Sequence, residues 1–308
     1  MISPKPSRMT TRLKLLMTLL LAMAGAALFI QHAGAFLHAR QHLSFFVVAH
    51  PDDWQLFMGD VAVDRVASKN PAVFVYLTTG GADRSQQYWR VREIASYASV
   101  ATAEDLHDAA KGLADSVPLS CAEVMVIGHR IHRCQYKEST SYHLRLPDGN
   151  ADGSGFAPTR NQSLEKLKRG QIRDIEAVDG SAVYHDWSDL RDTVRQILVQ
   201  EAAAHHQDGF EVHTHDPDPM QNPNDHSDHL AVGHLVLDAA HGLPAKVIQY
   251  SGDDIVNRPP NLTLRRSAET LVFVTCDRQR ILANETWSAY SEFPKTYSAW
   301  PFRTYGRQ

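Results

Sequence analysis

A run of apolar residues, Phe45 to Ala49, stops abruptly at His50-Pro51-Asp52-Asp53. The run reads as a buried strand, and its end sets two adjacent carboxylates against the core. Burying two such acids side by side without a partner is very costly. A divalent cation offsets that cost, because one Asp can bind it beside His50 while the other stays free as a base. Pro and Asp are also common turn formers, so on this stretch alone a surface turn fits as well as a metal site.

A second stretch lies far downstream. Asn224-Asp225-His226-Ser227-Asp228-His229 begins with loop residues and runs into the apolar, helix-like Leu230-Ala231-Val232-Gly233. His226 and His229 are three apart and share a helix face. Two histidines and an acid on one face are the donor types of a metal centre. The alternative is a set of polar caps at the start of a surface helix.

Together the two stretches resemble the PIG-L/LmbE-like family of zinc-dependent N-acetylglucosaminyl deacetylases. That family carries Ala-His-Pro-Asp-Asp-Glu after its first strand and His-x-Asp-His later. Here the motifs stand as Ala49-His50-Pro51-Asp52-Asp53-Trp54 and His226-Ser227-Asp228-His229, and the resemblance extends over most of the chain after about residue 42. It implies Zn2+ held by His50, Asp53 and His229, with the fourth position left for water, the mark of a catalytic site. It implies Asp52 as general base and His226 as the group that stabilises the oxyanion, acting as an imidazolium. Asp228 would orient His226 or raise its pKa. The implied reaction is hydrolysis of the acetamide of an N-acetylated amino sugar in a GlcNAc-type conjugate. Hydrolysis of other acyl amides or esters, or carbohydrate binding without catalysis on the same fold, are the alternatives.

One position departs from the family pattern. Trp54 stands where Glu is usual, and it is either core packing or a ring on which a sugar face stacks. Arg84, Arg90, Arg92 and Glu93 follow the second strand, where the family places substrate-contacting polar groups; a solvated helix face with local ion pairs is the competing reading. Of these, Arg84 and Arg92 are the substrate-binding candidates, with Trp54 and His215. His213, His215 and Asp216 end a later strand and would line the pocket or support the ligands.

Strand-like and helix-like runs alternate along the chain. Strands are expected over residues 43–49, 72–77, 123–127, 210–214, 246–250 and 271–275, and helices over 55–68, 87–113, 188–204 and 229–240. Alternation of this kind predicts an α/β fold, Rossmann-like, with a mostly parallel sheet and helices on both faces. Ligands in such sheets sit beyond the carboxyl ends of the strands, where His50, Thr78 and His215 fall. Residues 129–186, rich in Gly, Asp and Ser, read as a loop-rich insertion facing substrate. Within it, Asp148 to Ser154 copies the first half of an EF-hand calcium loop, but Thr159 stands where that loop needs Glu, so an Asp/Gly turn is the stronger reading.

Residues 1–35 have the anatomy of a secretory signal peptide: Lys5, Arg8, Arg12 and Lys14, then the apolar run Leu15 to Ile30, then Ala33-Gly34-Ala35. An uncleaved anchor is the alternative, since the run is near the lower limit for spanning a bilayer. Either way one large domain, about 42–300, is expected outside the cytoplasm, secreted or periplasmic, and membrane contact is confined to the N-terminal segment. The net charge is −4 and no basic stripe with interleaved aromatics appears, which excludes a nucleic-acid partner. Cys121, Cys134 and Cys276 form no C-x-x-C pair, so a zinc ribbon or thioredoxin-like site is excluded. Two of them could pair in an oxidising compartment, but Cys121 and Cys134 flank a predicted strand, and pairing stays open.

Overall fold

The computed structural model describes residues 42–263, apart from 85, 111 and 113–116, and residues 299–308. The leader, the strand expected over 271–275 and Cys276 lie outside the described residues.

The apolar run that opens the domain is strand β1, Ser44–Val48, every residue of it buried. It pairs in parallel with β2, Ala72–Thr78, on one side and with β8, Phe210–His215, on the other. A strand buried on both faces needs no polar alternation, which is why Phe45 to Val48 read as a continuous hydrophobic run. Beyond β2 lies β5, Ser139–Leu146, and beyond β8 lies β9, Ala245–Tyr250, both parallel to their neighbours. Antiparallel strands finish the two edges: β10, Gly306–Arg307, against β9, and β4, His129–Tyr136, then β3, Ser120–Val126, outside β5. Among the described residues the sheet order is β10-β9-β8-β1-β2-β5-β4-β3. A separate two-stranded ribbon pairs β6, Ile175–Glu176, with β7, Val183–Tyr184.

Alternate residues of the central strands feed two cores. Phe45, Val47, Val73 and Val75 pack with α5, Trp187–Ala204, and α6, Ser227–Ala240, through Leu190, Val194, Ile197, Val232 and Leu235. Phe46, Val48, Phe74 and Tyr76 point the other way, toward α1, Asp53–Phe57, α2, Gly59–Ala67, and α3, Gln86–Ala110. The expected α/β sheet, mostly parallel with helices on both faces, is therefore what forms. No helix among the described residues is long and apolar enough to cross a membrane.

Three expectations about elements need correction. The single helix over 55–68 is two, broken at Met58, whose backbone leaves the helical region (φ −134°, ψ 10°). Phe57 and Met58, at the break, are both buried. The third parallel strand is β5, not the 123–127 run, which belongs to the largely exposed edge strand β3. Consequently the loop-rich stretch starts near residue 147 rather than 129, because 129–146 form β4 and β5. Strand β4 escaped notice because Arg130 and Gln135 point to solvent between buried Ile131, Cys134 and Tyr136, the mixed pattern of an antiparallel strand with one wet face. The remainder of that stretch holds a short helix, α4, Leu164–Lys168, capped by the Ser163 hydroxyl.

The hairpin also settles the cysteines. Cys121 and Cys134 are directly opposed on β3 and β4, 4.1 Å apart at Cα, and are joined by a disulfide. The cross-link closes a loop with a sequence separation of 13. In the chain-entropy model a loop of that size is worth about 3 kcal/mol. Replacing both cysteines by Ser is expected to lower unfolding stability by about that amount, measured as a fall in the urea midpoint, with a steeper slope because the unlinked unfolded chain is more expanded.

Candidate metal centre and active site

Strand β1 lies where the sheet changes direction. The chain leaves β1 for β2 and β5 on one side and returns to β8 and β9 on the other. The crevice at such a point, beyond the carboxyl ends of the strands, is where this architecture binds ligands. Ala49 and His50 emerge there, and a tight local loop follows: the His50 amide donates to Asp53 Oδ2 at 2.7 Å, and α1 starts at Asp53. From the other side, α6 begins at Ser227 with His226 as its cap and His229 in its first turn.

These two chain ends bring three donor atoms together. His50 Nδ1 is 3.4 Å from Asp53 Oδ1 and 3.2 Å from His229 Nε2, and His229 Nε2 is 3.3 Å from Asp53 Oδ1. All three residues are buried. Each donor is aimed by a second contact on its far side. His229 Nδ1 donates to Asp225 Oδ1 at 2.9 Å, so its Nε2 lone pair faces the centre. Asp53 Oδ2 takes the His50 amide and lies 3.0 Å from His215 Nε2, which leaves Oδ1 for the centre. His50 Nε2 lies 3.5 Å from Asp228 Oδ2. Outer partners of this kind fix ring orientation and tautomer in metal sites.

The electrostatics agree. Burial works against charge on His50, but Asp53 and Asp228 outweigh it and lift the ring to about 10. Burial is likewise outweighed at His229, where Asp225 and Asp53 push the ring well above its ordinary value. The carboxylates thus demand positive charge between the two rings. Two imidazole nitrogens and one carboxylate oxygen, converging and externally braced, fit a divalent cation.

Above this trio opens a cavity of about 480 Å³. Its wall includes Asp52, Arg84, Arg92, Asp148 and His226 on the polar side and Leu56, Phe57, Tyr88 and Trp300 on the apolar side. Asp52 is ion-paired with Arg92, whose guanidinium also donates to the Gly80 carbonyl. Gly80 has φ of +55°, and a Cβ there would overlap the Arg92 side chain. Arg84 and Arg92 therefore belong to the cavity and not to a solvated helix face, whereas Arg90 is absent from the lining and lies over the Trp89 ring. Glu93 is buried and forked by Arg145 at 2.6 and 2.8 Å.

Several expected roles change. Trp54 is no sugar platform: it has no exposed surface, packs on Phe74, and donates its indole N–H to the Tyr76 hydroxyl at 2.9 Å. His215 does not line the cavity either. It is fully buried, stacked on His229 with centroids 4.0 Å apart, and burial with the neighbouring His229 charge lowers its pKa. It braces Asp53. His226 is not an imidazolium: its Nδ1 accepts the Asp228 backbone N–H at 3.2 Å, and burial and the charge of His50 pull the ring down to about 4. The neutral ring carries its proton on Nε2. Asp228 donates its backbone N–H to His226 and its charge raises the ring's pKa, as expected, without outweighing burial and His50; its carboxylate accepts from Gly149 N at 2.8 Å and faces His50.

Asp148 and Asp253, which line the cavity, and Asp225, which braces His229, were missed. Asp148 follows the carboxyl end of β5, so the strand-end rule would have found it had β5 been recognised. Its carboxylate accepts from Ala82 N at 3.0 Å and Asn150 N at 2.9 Å and lies 3.9 Å from His226 Nε2. The half EF-hand pattern is thus a turn. Asp148 points into the cavity, and exposed Asp152 caps its own loop at Ser154 N. Helix α6 is held close by Gly233, where a Cβ would sit 2.5 Å from the His215 carbonyl oxygen.

The family described as PIG-L, GlcNAc-PI de-N-acetylase, matches residues 45–240. No curated protein sequence matches the chain. Similar solved structures include an N,N'-diacetylchitobiose deacetylase from Pyrococcus horikoshii complexed with an inhibitor (14% identity, TM-score 0.44, covering 83% of this chain and 75% of that one). A zinc-inhibited form of teicoplanin deacetylase Orf2 is 12% identical, with a TM-score of 0.43 and coverage of 82% of this chain and 90% of that one. The A40926 pseudoaglycone deacetylase Dbv21 is 11% identical, with a TM-score of 0.38 and coverage of 87% and 95%. With both motifs at the mouth of β1 and a family match over most of the domain, the chain belongs to the PIG-L family of de-N-acetylases.

Proposed function

We propose that the chain is an exported zinc-dependent de-N-acetylase that hydrolyses the acetamide of an N-acetylated amino sugar in a GlcNAc-type conjugate. The observation that carries this reading is the triangle of donor atoms, with edges of 3.2 to 3.4 Å, beside a carboxylate outside the triangle. A tetrahedral ion with zinc-like bonds of roughly 2.0–2.1 Å separates its ligands by about 3.3–3.4 Å. His50, Asp53 and His229 would hold the zinc, which when bound supplies Lewis acidity at the scissile carbonyl and acidifies water.

The chain's own groups then divide the proton work. Asp52, held in place by Arg92, accepts a proton from the attacking water and returns it to the departing amine. Neutral His226 donates from Nε2 to the carbonyl oxygen as negative charge grows on it. Arg84, Arg92 and Asp148 offer donors and an acceptor to sugar hydroxyls. Water and the amide are consumed, and acetate and a free amino sugar are released.

The apolar wall of Leu56, Phe57 and Trp300 favours a second reading, an acyl group larger than acetyl. Acid release from paired N-acetyl and longer N-acyl glucosamine conjugates separates the two. The expected result is faster release from the acetyl substrates, abolished by a chelator and restored by zinc. Release that survives complete metal removal would sink the zinc reading. Export rests on the leader sequence alone, and mass spectrometry of the secreted chain is expected to place its N-terminus near Phe36. A chain retaining Leu15 to Ile30 in the membrane fraction would mean an anchor instead.

A further inference from the structure

The β3–β4 hairpin carries a second set of metal-donor side chains that the hydrolytic site does not use. Its register sets Cys121 opposite Cys134 and Glu123 opposite His132. Alternation along each strand puts all four on one face of the hairpin. Cys134 Sγ is 3.4 Å from His132 Nε2, and Cys121, His132 and Cys134 offer donor atoms that all lie within 4.8 Å of one another. The other ring nitrogen, His132 Nδ1, is 2.7 Å from Glu123 Oε1. That contact places the ring proton on Nδ1 and leaves the Nε2 lone pair facing the sulfurs. A carboxylate behind an imidazole is how histidine ligands are oriented in metal sites. Glu93 Oε1 is also 3.9 Å from His132 Nε2, but both Glu93 oxygens are held by Arg145 at 2.6 and 2.8 Å, so it does not compete for the ring.

We propose that this hairpin is a redox-gated metal site: a disulfide when oxidised, and a two-cysteine, one-histidine ligand set for a zinc-like divalent cation once a dithiol has opened it. Zinc bonds of about 2.3 Å to sulfur and about 2.0–2.1 Å to nitrogen separate the two ligand types by about 3.5 Å in a tetrahedron. The distance between Cys134 Sγ and His132 Nε2 is already 3.4 Å. Only the sulfurs must part, and Cys121 lies on the exposed outer strand where its side chain can turn.

The opening step balances as ordinary thiol–disulfide exchange. One thiolate of the dithiol attacks Cys121 Sγ, the exposed sulfur, and Cys134 leaves as a thiolate beside His132. The dithiol's second thiolate then displaces Cys121 and departs as a cyclic disulfide. Two electrons have passed to the cysteines, the dithiol is oxidised, and its two protons go to solvent when the cation takes both thiolates.

The test uses the full chain, oxidised and dithiol-reduced, with the reductant removed under inert gas before titration with cobalt(II) alone. Reduced protein is expected to take up one more equivalent of cobalt than oxidised protein and to develop thiolate-to-cobalt charge-transfer absorption. His132→Ala is expected to weaken that extra site at least tenfold, and a Cys121→Ser, Cys134→Ser double variant to lack it. The oxidised wild-type chain serves as the control if the double variant does not fold. Equal cobalt uptake in both redox states, or no thiolate absorption on reduction, overturns the proposal. So does uptake only by a reduced chain whose near-ultraviolet circular dichroism has collapsed.

Discussion

Asp52→Asn is expected to lower turnover of the amide substrate about a hundredfold or more, the usual effect of losing a general base, while leaving the metal content unchanged. The two adjacent carboxylates are separated by geometry. Asp53 turns Oδ1 into the donor triangle and commits Oδ2 to the His50 amide and His215. Asp52 points into the cavity and is held by Arg92. An amide at position 52 keeps the side chain's size and one hydrogen-bond acceptor but cannot take a proton from water. The check is paired: kcat on an N-acetyl amino sugar, and metal per chain by atomic spectrometry. Loss of metal along with turnover would mean that Asp52 and Asp53 have exchanged roles.

His229→Ala is expected to remove metal and turnover together. The substitution deletes one corner of the triangle and takes from Asp225 the charge partner that chiefly holds its carboxylate below its ordinary range, leaving it the donors Asn222 Nδ2 and Asp253 N. Removing the charge partner of a buried carboxylate is strongly destabilising, so a lower melting temperature should accompany the lost activity. Asp225→Asn provides the graded case. It keeps the ring but weakens its brace, and losses of outer partners typically reduce metal affinity about 10–100-fold. A chelator competition that ranks wild type above Asp225→Asn above His229→Ala is the expected outcome. Full metal retention in His229→Ala would show that His215, stacked on His229, can substitute as a ligand.

What the sequence disclosed, and what it hid, follows from the range of each interaction. The resemblance carried by the two motifs pointed to His50, Asp53 and His229, and a strand end and a helix start bring their donor atoms together. The parallel core was legible because β1 and β2 are buried on both faces and carry unbroken apolar runs. Strand β5 was hidden, since Ser139, Thr140, Ser141 and His143 are polar yet buried, and only pairing with β2 explains them. Asp148 was hidden with it. Trp54 was ambiguous until Tyr76, 22 residues away, supplied a partner for its indole N–H. The state of His226 rests on a backbone N–H two residues on, a contact set by the cap of α6 rather than by residue type.

The close seat of α6 at Gly233 bears on how such an enzyme can change over generations. The His215 carbonyl oxygen and Pro217 leave no room for a side chain there, so any larger residue at position 233 would push the helix bearing His229 away from the strand end. The floor of the site is therefore closed to gradual adjustment, and new substrates must be won elsewhere. Arg84, Tyr88 and Ala151 stand at the cavity wall on or beside loops, where insertions and exchanges are tolerated best. Lineages descended from such a chain should diversify by rebuilding that rim over an unchanging floor, and a laboratory effort to retarget it should randomise the same positions first.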